Sequence, residues 1–220
     1  NKDGRAYYLR GNLYYDMGEE KKALADYEEA VKQDKKDYEL YIGIYQSMKI
    51  HGAKENAQKY LNQALEIKGE KAEDLLYKGQ ISYLLGDYKT AVTDLTKAKE
   101  DGQQKASYYL GLTYEAQGDT DKAQSYIKEY LDSGVATSYE LYDLGSSELD
   151  DGDYEEALTF FNAGLALEKV PNKQNLMKSA IAAYEYSGDF DSAKTMLKDY
   201  LEEYPSDEDA QKESTFLETR

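Results

Sequence analysis

Residues 84–98 read LLGDYKTAVTDLTKA, in which the step Gly86-Asp87 separates two segments with apolar residues at helical spacing. Glycine can adopt a positive φ and end one helix, and an aspartate after it can accept backbone N–H groups at the start of the next helix. Ala91 follows Gly86 by five residues. This stretch therefore predicts a hairpin of two helices, and its recurrence along the chain decides the fold.

The same glycine and alanine recur at a regular interval through the whole chain. The six glycines, spaced by 34, 34, 32, 34 and 36 residues, are Gly18, Gly52, Gly86, Gly118, Gly152 and Gly188. The alanines five residues after them are Ala23, Ala57, Ala91, Ala123, Ala157 and Ala193. An acid follows the glycine in five of the six units, and Asp153 with Glu156 has the spacing of a capping box. A period of this length is typical of repeat proteins, in which each unit buries its apolar face against its neighbours.

Small residues also recur on the first helix of the hairpin. The glycines seven residues before the turn are Gly11, Gly79, Gly111 and Gly145. We expect them to face the alanines across the hairpin, so that the two helix axes approach closely. In the second and sixth units this position is Tyr45 or Ile181, and a wider hairpin is expected there.

The composition disfavours several classes of function. The 220 residues include 27 Lys+Arg and 44 Asp+Glu, and the net charge is -17. This charge repels phosphate backbones and anionic lipid, so neither nucleic acid nor a membrane surface is an expected partner. No apolar run approaches the roughly 20 residues that span a bilayer, so direct membrane insertion is not expected either. The chain has no cysteine, which excludes disulfides, thiolate metal sites and thiol nucleophiles.

The repeated residues resemble the tetratricopeptide repeat, a 34-residue helix–turn–helix unit with small residues at these places. The resemblance implies an all-α fold, an α-α superhelix formed as a right-handed solenoid, and a single domain at residues 4–207. The implied repeats are 4–37, 38–71, 72–103, 104–137, 138–173 and 174–207. The terminal stretch SDEDAQKESTFLETR resembles the solvating helix that closes such arrays. It predicts a C-terminal capping helix at 208–220, with Ser206 as its N-cap.

In this family the first helix of each unit lines a concave face that binds extended peptides or a partner's helix. Carried onto this sequence, the resemblance implies a tyrosine-rich groove. Its predicted binding residues, called the groove residues below, are Tyr8, Asn12, Tyr15, Gln46, Lys49, Gln80, Tyr83, Tyr108, Leu112 and Tyr142. The charged residues at groove places are the bases Arg5, Lys49, Lys105 and Lys178 and the acids Asp16, Glu39, Glu73, Glu115, Asp150 and Glu185. The groove is therefore predicted to be nearly neutral, although the chain is strongly acidic.

The 24 tyrosines are expected to divide between two roles. At core places, such as those of Tyr7 and Tyr14, the ring is expected to fill the interior. At groove places, rings are expected to be exposed at Tyr8, Tyr15, Tyr83, Tyr108 and Tyr142. Exposed rings are costly without a use, and tyrosine is enriched in interface hot spots. For these five residues, core packing and partner binding stay as equal alternatives.

Two further kinds of site are not expected. Tetratricopeptide proteins that bind chaperone tails clamp a carboxylate with lysine, asparagine and arginine. Asn12 matches one of these places, but Tyr8, Glu73 and Tyr77 stand where cations are needed. The single histidine, His51, precedes a turn glycine and is interpreted as a surface residue at a helix end. The chain has no phosphate-binding glycine loop and no histidine pair, so we expect no catalysis, no cofactor and no metal.

The sequence thus predicts a non-enzymatic interaction scaffold whose groove binds a peptide or helix of a partner protein. A second hypothesis is structural: the terminal helix or an exposed edge docks on another copy, so the chain is a monomer or a weak homodimer. A third hypothesis makes the chain the adaptor region of a longer, anchored or enzymatic protein. The chain lacks an initiator methionine and cysteine and has only three arginines. These features favour an extracytoplasmic bacterial protein with its leader removed over a cytoplasmic one, and leave the compartment open.

Overall fold

In a computed structural model, residues 3–219 are described, apart from the side chains of residues 54 and 55, and they contain thirteen α-helices. The chain divides into two compact units, residues 1–133 and 134–220. Unit 1 comprises α1 (Gly4–Asp16), α2 (Glu20–Gln33), α3 (Tyr38–Ile50), α4 (Lys54–Leu65), α5 (Ala72–Leu85), α6 (Tyr88–Glu100), α7 (Lys105–Ala116) and α8 (Thr120–Asp132). Unit 2 comprises α9 (Ser138–Asp151), α10 (Tyr154–Leu165), α11 (Lys173–Ser187), α12 (Phe190–Glu203) and α13 (Glu208–Leu217).

The helices pack in sequential pairs, so the predicted hairpins are present. In unit 1 the pairs are α1 with α2, α3 with α4, α5 with α6 and α7 with α8, and unit 2 adds α9 with α10 and α11 with α12. First helices also contact each other from one pair to the next, as α1 does with α3 and α5 with α7. The predicted all-α helical-repeat fold, of the α-α superhelix class, is confirmed. The single domain at residues 4–207 stays a prediction, as do the repeat boundaries.

The turn glycines have the predicted backbone conformation. All six have a positive φ, between 73° and 88°, which a residue with a Cβ rarely adopts. The alanines five residues later are buried, five of them completely. The acid after the glycine caps the second helix at Asp87, Asp119 and Asp189, where the carboxylate accepts a backbone N–H three residues on. Asp153 makes no such bond, so the predicted capping box of the fifth unit is absent.

The glycines of the first helices face different residues from those expected. A Cβ at Gly79 would lie 2.5 Å from Cγ of Leu95, and one at Gly11 would lie 2.5 Å from Cε1 of Tyr27. Gly111 and Gly145 stand in the same relation to Ile127 and Phe161. The glycine therefore makes room for a large side chain four residues after the alanine. The expected approach to the alanine is present as well at two of these glycines, since a Cβ at Gly11 or Gly111 would also lie 3.3 Å from the carbonyl oxygen of Ala23 or Ala123.

The C-terminal helix α13 begins at Glu208, and its N-cap lies one residue after the predicted one. Its N-cap is Asp207 and not Ser206, because the Asp207 carboxylate accepts the N–H of Ala210 at 3.2 Å. Ala210 and Leu217 are buried against α11 and α12, in a cluster with Ile181 and Tyr200. None of the helices described is long and apolar enough to cross a membrane.

Candidate interaction groove

The groove residues of unit 1 are organised around Tyr27, a fully buried side chain of α2. Its hydroxyl donates to Oδ1 of Asn12 at 2.7 Å and lies 2.8 Å from Oγ of Ser47. Asn12 belongs to α1 and Ser47 to α3, so one hydroxyl joins two neighbouring pairs of helices. Burial raises the pKa of Tyr27 to about 12, so the hydroxyl remains a donor even at pH values where an exposed tyrosine ionises.

Two groove tyrosines of α1 pack on the same ring. The half-buried Tyr8 lies 6.1 Å from the Tyr27 ring, and its hydroxyl occupies the space beside Gly43 of α3. Tyr15 stacks on Tyr27 at 5.8 Å and is only 7% exposed. The prediction of an exposed ring is therefore wrong for Tyr15. The side chain that covers it is His51, whose ring centroid lies 4.8 Å away.

His51 stands at the end of α3, as expected, but it is packed between two helices. Its Nδ1 lies 2.8 Å from the carbonyl oxygen of Ser47, to which it donates, and its Nε2 lies 3.3 Å from Oδ1 of Asp16 on α1. The histidine therefore contributes to the contact between the first two pairs of helices.

The remaining groove tyrosines are partly or wholly interior. Tyr108 is 7% exposed and lies between the rings of Tyr109 and Tyr130, so the prediction of exposure is wrong here too. Tyr83 is half-buried and lies 6.2 Å from Tyr88. In unit 2, Tyr142 is half-buried at 6.3 Å from Phe161. Neighbouring side chains therefore bury part or all of each of these rings, which leaves less of their surface for a ligand.

Two polar residues of the predicted groove are exposed. These are Gln46 and Lys49, both on α3, and neither side chain makes a hydrogen bond or an ion pair with the described residues. Asn12, Gln80 and Leu112 are half-buried. Because Asn12 uses its carbonyl oxygen for Tyr27, its amide N–H groups are the part left to offer.

A row of polar contacts crosses the starts of three first helices. Arg5 of α1 binds Oδ2 of Asp37 at 3.3 Å and Oε2 of Glu39 at 2.9 Å, and Glu39 also accepts the hydroxyl of Tyr77 on α5 at 2.9 Å. The repeat pattern places Arg5, Glu39 and Tyr77 on first helices but does not predict these contacts. A signal was present, since Arg5 and Glu39 are 34 residues apart and occupy the same place in adjacent repeats with opposite charge. No set of three or more acids or histidines among the described residues could hold a metal ion.

Comparison with known proteins gives one family. Three sequence models of the tetratricopeptide repeat match residues 4–37, 108–172 and 148–212. A curated human relative, Superkiller complex protein 3, is 28% identical over 137 residues, which are 61% of this chain and 8% of that protein. The chain thus spans less than a tenth of that relative's length.

One of two similar solved structures supports the fold. Yeast Tom70 superposes with a TM-score of 0.50 at 15% identity, over 98% of this chain and 53% of that one. PilW, a type IV pilus biogenesis factor, has a TM-score of 0.49 at 18% identity, over 96% and 98% of the two chains. The paired helices, the left-handed turn glycines and the three family matches agree: this chain is a tetratricopeptide repeat protein.

Proposed function

We propose that this protein is a non-enzymatic scaffold that binds a peptide or helix of a partner protein along the first helices of its repeats. Tetratricopeptide repeats are a protein-interaction family, and the family supports the general role of a protein-interaction scaffold. The finer part of the proposal concerns the surface used. It is carried by the accessible side chains of Gln46 and Lys49 on α3.

The physical argument is preorganisation. The hydroxyl of Tyr27 holds Asn12 and Ser47 in place, and Tyr15 and His51 pack beside them. A rigid surface loses little conformational entropy when a ligand binds. Amide groups such as those of Asn12 and Gln46 can pair with the backbone of an extended peptide. Lys49 adds an ammonium group on a flexible side chain, which can donate hydrogen bonds to an acceptor of the ligand.

A peptide-display screen tests this surface. The wild-type chain selects the ligands, and the double variant Gln46→Ala/Lys49→Ala is then tested for their binding. We expect affinity to fall by about tenfold, which corresponds to 1.4 kcal/mol. The matched control is Lys21→Ala/Asn62→Ala, which removes one lysine and one amide from exposed positions on the second helices α2 and α4.

Equal binding by the two double variants would refute the proposal that the ligands bind at Gln46 and Lys49. Tyr108 is nearly buried, so its truncation to alanine would disturb packing as well as any binding surface.

A second candidate function is self-association. Leu9 and Leu13 of α1 and its C-cap residue Met17 form one stripe and are 61%, 61% and 71% exposed. The residues 34 positions later are Gly43, Ser47 and His51, which contact the preceding pair of helices through Tyr8, Tyr27 and Tyr15. The stripe is therefore the stacking face of the first repeat, and it continues an interface that the repeats already use. We propose a second copy of the chain as its occupant.

A further inference from the structure

We infer that Met17, the C-cap residue of α1, is a site of reversible oxidation by peroxide, and that its sulfoxide weakens the contact of α1 with a second copy of the chain. The inference rests on the self-association proposed above and gives that contact a chemical control. Three observations carry it: the exposure of this methionine, its place on the stacking face of the first repeat, and the small part that its side chain has in the fold.

Met17 differs from the other three methionines of the chain in its exposure. Met17 is 71% exposed, whereas Met48 is 0% and Met177 is 6% exposed. Met196 is half-buried and packs against two clusters of core residues. A peroxide must reach a sulfur atom to oxidise it, so the Met17 sulfur is the most accessible to an oxidant in solution. Because the chain has no cysteine, no thiol competes with it.

Met17 stands on the face with which one repeat contacts its neighbour. It follows Leu9 and Leu13 at intervals of four residues, and these three side chains form the exposed apolar stripe. In the second repeat the corresponding residue is His51, whose ring lies 4.8 Å from Tyr15 of the first repeat. A second copy that covers the stripe therefore contacts the thioether of Met17.

The fold depends little on this thioether. Met17 contributes its backbone N–H, which donates to the carbonyl oxygen of Leu13 at 3.1 Å, while most of its side chain lies in solvent. Oxidation of Met48, in contrast, would place a polar oxygen among the buried side chains of the first repeats. Oxidation confined to Met17 is therefore expected to leave the melting temperature unchanged.

The reaction transfers one oxygen atom to the sulfur. A lone pair of the Met17 sulfur attacks one oxygen of hydrogen peroxide, the O–O bond breaks, and an S–O bond forms. The other oxygen leaves as water after proton transfer, so the sulfur is oxidised and the peroxide is reduced. Methionine sulfoxide reductases reverse the change with a pair of thiols: the sulfoxide oxygen leaves as water, and the thiols become a disulfide.

The sulfoxide makes one end of the stripe polar. Its oxygen accepts hydrogen bonds from water as long as the stripe is exposed. Leu9 and Leu13 have no side-chain donor that could replace this water in a contact between copies. Burying a polar group without a hydrogen bond is unfavourable, so the oxidised stripe is expected to associate more weakly than the reduced one.

Peptide mapping after treatment with dilute hydrogen peroxide tests the site. Each methionine lies in a different tryptic peptide, and the peptide that contains Met17 is 11–21. We expect this peptide to gain one oxygen atom while the peptides of Met48 and Met177 stay unchanged, with no change in the melting temperature followed by circular dichroism. Oxidation of Met48 or Met177 as fast as that of Met17 would overturn the inference.

Sedimentation equilibrium before and after peroxide treatment tests the effect, at high ionic strength where repulsion between copies is screened. We expect the oxidised wild type to associate at least about fivefold more weakly than the untreated protein. Reductases for both sulfoxide epimers should restore the association. The matched control is Met17→Leu, which keeps an apolar side chain without the sulfur and should associate equally with and without peroxide.

The inference and the self-association fail in different ways. If Met17→Leu loses association after peroxide treatment as the wild type does, another residue is responsible, and the inference falls while self-association stands. The same conclusion holds if Met17 is oxidised and association does not change. If the untreated wild type stays a monomer at every concentration, self-association itself is wrong, and the inference falls with it.

Discussion

Tyr27 uses its ring and its hydroxyl for different purposes. The ring occupies the space that Gly11 leaves open and stacks with Tyr15, while the hydroxyl links Asn12 and Ser47. Phenylalanine could fill the same space but could not make these bonds. The hydroxyl therefore decides how the first two pairs of helices are joined, and the ring decides how closely α1 and α2 approach.

Tyr27→Phe tests the hydroxyl alone. We expect the free energy of unfolding to fall by about 1–3 kcal/mol, because buried polar atoms of Asn12 and Ser47 lose their partner. Urea unfolding followed by circular dichroism measures the change. The control is Tyr139→Phe, whose ring is 56% exposed and which should change stability by less than about 0.5 kcal/mol. Equal effects of the two substitutions would contradict the role given to the Tyr27 hydroxyl.

At the scale of the element, polar contacts stabilise the start of α13, whereas a pair of acids near its middle opposes its packing. Asp207 accepts the hydroxyl of Tyr200 at 2.6 Å and binds Lys178 at 2.6 Å, and these contacts hold the pKa of its carboxyl well below the usual range. Further along, Glu213 of α13 faces Glu185 of α11. Burial, followed by the charge of Glu213, raises the pKa of Glu185 to about 7. One pair of acids therefore opposes the docking of α13 when both are ionised.

The stability of unit 2 should consequently depend on pH. The folded pKa of Glu185 lies above that of an unfolded glutamate, about 4.3, so the folded state holds the proton more tightly. Its stabilising effect is complete below about pH 4.3 and is lost as the pH rises through about 7. The free energy of unfolding, measured by urea titration at pH 5 and pH 8, is expected to fall less for Glu185→Gln than for the wild type.

Other acids add their own pH dependence, so the informative quantity is the difference between the two proteins. Glu202→Gln, at an exposed position of α12, is the control and should follow the wild type. If Glu185→Gln also loses stability in parallel with the wild type, the pair of Glu185 and Glu213 does not oppose docking of the helix.

At the scale of the whole molecule, a net charge of -17 is combined with one exposed apolar stripe. The charge keeps copies of the chain apart, and salt weakens that repulsion. The stripe of Leu9, Leu13 and Met17 favours contact between copies, because removing apolar surface from water is favourable. Three side chains form a small interface, so any self-association is expected to be weak.

Sedimentation equilibrium over a range of concentrations tests this candidate. We expect the apparent mass to rise with concentration, and to rise more in 500 mM than in 50 mM NaCl, because salt screens the repulsion. Leu13→Gln should restore a constant monomer mass. Phe216→Gln, which removes another exposed apolar side chain from α13, should behave as the wild type. A constant monomer mass for the wild-type chain in both salt concentrations would exclude self-association through α1.

Parts of the groove could not have been predicted from one sequence. Tyr15 and Tyr108 occupy groove places in the period, but His51 covers the first and Tyr109 with Tyr130 enclose the second. Exposure depends on the side chains of neighbouring helices, and a repeat pattern states only which places face each other. The contact of Arg5 with Glu39 was within reach, because the two residues are one period apart.

The sequence by itself determined the helices, their turns and their pairing. Gly18 and Gly86 are two of the six turn glycines that require no tertiary information, because a positive φ and a nearby N-cap are local properties of the chain. Tertiary structure alone decided that Gly11 faces Tyr27, that Tyr15 is buried, and that the rings of Tyr38 and Tyr77 line the same cavity as four carboxylates. These features arise where side chains from different repeats meet, and burial and charge at such places depend on every neighbour at once.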